Sequence, residues 1–240
     1  MRSHALALLL LVLITSATAQ TATPQKGPTS QRVPGAQNGE QAPKTPEAIV
    51  NFLTPDDVAY VERLGLVPPA QAIAALKQAQ PRAGNTQADA IAFLLVLLGS
   101  DTEANRSHLL NSLGTCTREP AMCDERAINY LGALYEHGDT DVLEPLLEAS
   151  RNSDGIVLEE VASAYDDMIV HDAHTFITAV AKRPAKEQKR LCALVASGDG
   201  VGLTDDAEIG VVGALNEIAG ESGPLAATAR LCMNEIKAAK

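Results

Sequence analysis

Residues 124–182 read DERAINYLGALYEHGDTDVLEPLLEASRNSDGIVLEEVASAYDDMIVHDAHTFITAVAK. Ile128, Leu131, Leu134 and Tyr135 recur at helical spacing and share one face. Gly138-Asp139 supplies a tight polar turn, and Val142, Leu143, Leu146 and Leu147 form the answering stripe. The pattern then repeats. Leu158, Val161, Tyr165 and Met168 make a third stripe, and Phe176, Ile177 and Val180 a fourth, with a polar turn near His171-Asp172 between them. Two helical hairpins in succession predict an all-α chain.

Outward from this stretch the punctuation is also helical. Thr45-Pro46-Glu47 and Thr54-Pro55-Asp56-Asp57 each offer a hydroxyl cap, a proline at the first helical position and acid in the first turn, which predicts helices over 46–53 and 55–64. Pro68-Pro69 opens AQAIAALKQAQ. Asn85 or Thr86 caps the next helix, which ends at Gly99. Its run Ala90–Leu98 is too short to span a bilayer, which takes about 20 residues, and reads as a buried core helix. Asp101 caps a helix that Gly114 ends. Downstream, Pro184 opens a helix with Leu191, Leu194 and Val195. Thr204 caps another with Val211, Leu215 and Ile218, and the last carries Leu225, Leu231, Cys232 and Ile236. No stretch alternates as a strand does.

From about residue 85 to 240 helix pairs recur every 30 to 37 residues or so. In that turn spacing the chain resembles the HEAT/armadillo-like α-solenoids. The resemblance rests on pattern, with no diagnostic motif, and a non-repeating helical bundle would use the same stripes. It implies antiparallel helical hairpins stacked as a short α-solenoid, with an extended surface for a protein or peptide partner and no cofactor.

The first 19 residues have the form of a secretory signal peptide: Arg2 and His4, an apolar run from Ala5 to Ile14, and Ala17-Thr18-Ala19 before Gln20. Residues 20–45 are rich in Gln, Pro, Gly and Thr, with Val33 the one sizeable apolar side chain. Such a segment buries too little surface to offset its ordering entropy and is expected to be a disordered linker. The helical domain is expected over 46–240. The protein is thus expected to be exported, periplasmic or secreted, without stable membrane insertion once the leader is cleaved.

Composition narrows the partners. Net charge is −11, and residues 46–240 carry 15 Lys and Arg against 29 Asp and Glu. Such a surface repels nucleic-acid phosphates and anionic lipid headgroups. Aromatic residues are 3% with no Trp, so ring-lined grooves for sugars or bases are disfavoured.

Four cysteines follow the leader, and an exported chain with an even count suggests disulfides, with three possible connectivities. Cys116 and Cys123 flank a short Pro-containing loop. Cys192 and Cys232 sit on apolar helix faces near the C-terminus. The favoured reading is Cys116–Cys123 as a local staple with Cys192–Cys232 clipping the last helix; reduced, buried thiols are the alternative, and the paired C-x-x-C spacing of a zinc site is absent.

Chemistry-bearing residues concentrate at Asp166-Asp167 and His171-Asp172-Ala173-His174. Asp167, His171 and His174 offer the donor types a zinc-like ion takes, and His137 occupies the matching turn of the preceding hairpin. The same residues also read as a solvated turn with Asp172 as an N-cap. Asp199–Asp206 resembles a calcium loop faintly, but Val201 and Leu203 stand where oxygen ligands are needed. Asn105-Arg106-Ser107 matches a glycosylation acceptor in letters while lying inside an expected helix. No nucleophile elbow or phosphate loop occurs. The expected function is non-catalytic binding of a protein or peptide partner. The alternative is a metal-binding protein or metal-dependent hydrolase built on the Asp166–His174 turn.

Overall fold

Thr45 and Thr204 cap helices as their sequences suggest: each hydroxyl accepts a backbone N–H three residues on, from Ala48 and Ala207, at 3.3 Å. The computed structural model describes residues 43–54, 60–153, 155–198 and 202–239. The leader, nearly all of the linker, the first half of the helix expected over 55–64 and the first three residues of the 199–206 loop lie outside the described residues. Among those described are eleven α-helices: α1 (Pro46–Leu53), α2 (Tyr60–Leu64), α3 (Pro69–Ala79), α4 (Asn85–Leu97), α5 (Thr102–Arg118), α6 (Arg126–Glu136), α7 (Leu143–Asn152), α8 (Gly155–Ala181), α9 (Ala185–Ser197), α10 (Asp205–Ala219) and α11 (Pro224–Ala238). The described residues form no strand, only an isolated bridge between Gly198 and Gly202. None of their helices is long and apolar enough to cross a membrane.

Packing passes along the chain. Helix α1 lies on α3, α4 on α5 and α6, α5 on α7, and α6 and α7 on α8; α8 then meets α9, α10 and α11, and α11 closes on α9 and α10. The result is an all-α stack of antiparallel helical hairpins around one aliphatic core. Leu53, Leu76, Ile91, Leu109, Leu131, Leu146, Val161, Ile177, Val195 and Leu215 are fully buried within it. Each such side chain contributes about 1.5–3 kcal/mol by leaving water. Every residue of α4 from Asp89 to Val96 is buried. A helix that is apolar on all sides belongs in the centre of a core, which is where α4 lies.

Three local expectations are corrected. Helix α5 does not stop at Gly114 but runs to Arg118. Leu109, Leu113 and Cys116 continue one buried face through the glycine, and that burial outweighs the propensity loss of about 1 kcal/mol. Neither Asn85 nor Thr86 caps α4; Gly84 holds the cap position, and the Thr86 hydroxyl donates to Asp124. Asp101 stands at the start of α5 without a side-chain cap, in a left-handed conformation at φ 48°. Its carboxylate pairs with Lys77 at 2.7 Å instead.

Cys116 pairs with Cys123, and Cys192 with Cys232, at Cα separations of 4.2 and 4.4 Å. The second bridge is fully buried and joins α9 to α11. The α7–α9 surface is held by charges. Arg183 pairs with Glu144 and Glu148, Arg151 with Glu148 and Glu187, and Arg190 with Glu187 and the Ser150 carbonyl. The hydrogen bond from Arg190, helped by Arg151, pulls the Glu187 carboxyl down to about 2.

Loop-closure entropy ranks the two bridges. They span 7 and 40 residues in sequence, corresponding to about 2.5 and about 4 kcal/mol. Denaturant titration is therefore expected to find the Cys192→Ala/Cys232→Ala variant less stable than Cys116→Ala/Cys123→Ala; the reverse order would contradict the pairing. The Glu187 shift sets a pH dependence. A depressed carboxylate pKa stabilises above the ordinary glutamate range and loses that contribution as pH falls from about 4.5 towards 2. The melting temperature should drop across that window, and Glu187→Gln should shrink the drop.

Candidate functional site

Helix α8 is broken once, at Asp172, whose backbone is non-helical (φ −149°, ψ 76°). The sequence accounts for the location. An aspartate carboxylate can take over a helix N-terminus, and here Oδ1 accepts the Thr175 N–H at 3.0 Å. That bond holds the Asp172 carboxyl below its ordinary range. The peptide carbonyl of Asp172 accepts the Tyr135 hydroxyl from α6 at 3.1 Å. Burial of that tyrosine pushes its pKa up, so it serves as a donor. The break is sharp. The Tyr165 and Phe176 rings lie 5.2 Å apart edge to face, whereas eleven residues of straight helix rise about 16 Å. The hairpin expected here is thus turned by a single residue. The Tyr165 hydroxyl is spent on the buried Leu146 carbonyl of α7 at 3.0 Å.

The same geometry places the expected ligand residues. His171 ends one arm of α8 and His174 lies just inside the next, so the two do not share an uninterrupted helical face. Both are exposed, as is Asp167, while Asp166 is buried. His171 sets its ring edge to face with Tyr135, centroids 6.4 Å apart. His137 uses Nδ1 on the Ala133 carbonyl of its own helix at 2.8 Å. Among the described residues no three His, Cys, Asp or Glu side chains come together as a metal-ligand set.

What the turn does present is apolar surface. Val170 is 53% exposed on α8 and Ile209 73% exposed on α10. The two helices pack together, and a Cβ placed on Gly210 would lie 3.0 Å from a Val170 methyl, so Gly210 permits the close approach. Gly213, one turn beyond Ile209, is different. It is exposed in the middle of α10 and a Cβ there would meet nothing within 4 Å. An interior helical glycine costs roughly 0.5–1 kcal/mol relative to alanine, and no packing among the described residues requires this one.

Two other sites carry polar groups. A cleft of about 490 Å³ between the ends of α4, α5 and α6 is lined by Leu97, Thr102, Arg106, Leu134, His137 and Asp139 among others. Its one cation is committed, because Arg106 bonds Asp139 at 2.7 Å and pairs with Glu103 and Asp141. The second site escaped the sequence reading. Buried Asp89 of α4 accepts the Ser112 hydroxyl at 2.8 Å and lies 2.8 Å from His108 Nε2, both on α5. Burial raises its pKa. The signal was present, since Asp89 is the lone charge in the apolar α4. Ser112 donates to the carboxylate and not to the histidine, so this trio lacks the base-to-nucleophile bond of a hydrolytic triad. Asn105 is 3% exposed and donates to the Ser100 and Asp101 carbonyls, which removes it as a glycosylation acceptor in the folded protein.

No protein-family model, curated protein or solved structure matches the chain.

The cap at Asp172 is measurable. Asp172→Ala should cost about 1 kcal/mol in urea unfolding and Asp172→Asn distinctly less. The double change His171→Ala/His174→Ala should stay within about 0.5 kcal/mol of wild type, as surface substitutions do. A large loss in the double histidine variant would show that these rings hold the turn together.

Proposed function

We propose that this protein is an exported helical scaffold, periplasmic or secreted, that binds a protein or peptide partner and performs no catalysis. The observation that carries the reading is the exposed pair Val170 and Ile209 on adjoining helices at the α8 break. Isolated exposed aliphatic side chains are ordinary. Two on neighbouring helices, beside an exposed glycine over which no described residue packs, suit an interaction surface. Export is supported by the paired cysteines, which belong to oxidising compartments, and by the form of residues 1–19. The HEAT/armadillo-like resemblance adds that stacked helical hairpins serve elsewhere as binding surfaces.

The test is site-specific photocrosslinking in cells that export the protein, with a photoreactive residue at 170 or 209 and, as control, at 122, another exposed apolar position. Discrete protein adducts from 170 and 209 but not from 122 are expected. No adduct at either position would overturn the binding reading. The N-terminus of the recovered protein, read by mass spectrometry, is expected at Gln20; retention of Met1 would overturn export by cleavage.

A further inference from the structure

Helices α8 and α10 are chemically one-sided. Over their 27 and 15 residues they carry nine acidic side chains (five in α8, four in α10) and no Lys or Arg. Asp167 and Glu159 of α8 and Asp205, Asp206 and Glu217 of α10 are exposed. In the α7–α9 network, by contrast, cations and anions interleave. On their own two helices the apolar pair Val170 and Ile209 is therefore flanked by acid alone; the nearby cations are Arg230 and Lys237 of α11, which stand at the far end of α10 beside Ala219 and Asn216.

We infer that the outer face of α10, with Val170 of α8 at its edge, is a docking surface for a cationic amphipathic helix of a partner protein. This deepens the binding reading above and rests on it. Asp206, Ile209, Gly213 and Asn216 follow one another at spacings of three and four, so they form one ridge along α10. All four are exposed. Ile209 is the anchor. Gly213 leaves a saddle one turn further on, where a partner helix can bring its backbone close. Exposed carboxylates at Asp205 and Asp206 then face the partner's Lys and Arg at the N-terminal end of the ridge, with Glu217 at the other end beside Arg230 and Lys237 of α11. Complementary charge fixes the choice of occupant. A second copy of this chain brought against the Asp205–Ile209 end by its own like end would set acid against acid, and nucleic acid or an anionic bilayer would be repelled. A neutral apolar helix would cover Ile209 but leave the carboxylates facing apolar surface.

The test is selection of a displayed library of helical peptides against the full chain, followed by affinity measurements on the recovered peptides. Recovered peptides are expected to be net positive. Their affinity should fall at least tenfold on Ile209→Ala and on Gly213→Leu, and stay within twofold on Met122→Ala. Thermal melts separate binding from folding: Gly213→Ala should melt at or above the wild-type temperature while binding more weakly. Recovery of neutral or acidic peptides, recovery of none, or affinities that survive both α10 variants would overturn the assignment. Adducts from positions 170 or 209 in cells would in that case leave the broader binding reading standing, with a different partner chemistry.

Discussion

Most of the C-terminal half depends on the break at Asp172. An unbroken helix of 27 residues would extend about 40 Å and carry Phe176, Ile177 and Val180 past the core. The break folds those residues back, so that Phe176 meets Tyr165 and both are fully buried. Breaking a helix leaves backbone groups without partners. Here two of them are satisfied locally, the Thr175 N–H by the Asp172 carboxylate and the Asp172 carbonyl by the Tyr135 hydroxyl. Helices α9, α10 and α11 all pack on α8, so their placement inherits that turn.

The rest of the stability is distributed. With few aromatics, the core is filled by Leu, Ile, Val and Ala, whose burial scales with area. Covalent and ionic links then fix what aliphatic contacts leave adjustable. The buried Cys192–Cys232 bridge ties the last helix to α9, and the Glu187-centred network ties α9 to α7 across the surface. Asp89 runs against this trend. It is a carboxylate buried in the most apolar helix, with two partners on α5 and a raised pKa, and it therefore favours the folded state more at low pH than at neutral pH.

The helices were legible in the sequence because their signals are local: stripes of Leu and Val, threonine caps at Thr45 and Thr204, and prolines at first-turn positions. The cysteine pairing was legible because loop position and helix face limited the choice. Gly114 misled, because a glycine stops a helix only when nothing beyond it must be buried, and Cys116 must be. Asp101 and Thr86 looked like caps but spend their side chains on Lys77 and Asp124, partners distant in sequence. His171 and His174 looked like a ligand pair because three-residue spacing implies a continuous helix. The same Asp172 that made the turn interrupted it. The α10 ridge was invisible for another reason: exposure of Ile209 and empty space over Gly213 are properties of packing, and no spacing rule reports them.

The proposed binding surface would need a rigid support, and the α8 break lies two residues from Val170, which packs closely on Gly210 of α10. The direct measurement of that role is native-state hydrogen exchange along α8 in wild type and Tyr135→Phe, which removes one oxygen and leaves the ring in place. If the Tyr135 bond to the Asp172 carbonyl holds the turn, exchange should quicken at residues 173–176 and in the α10 segment facing Val170, with global stability lower by about 1 kcal/mol. Exchange rates and stability indistinguishable from wild type would contradict it.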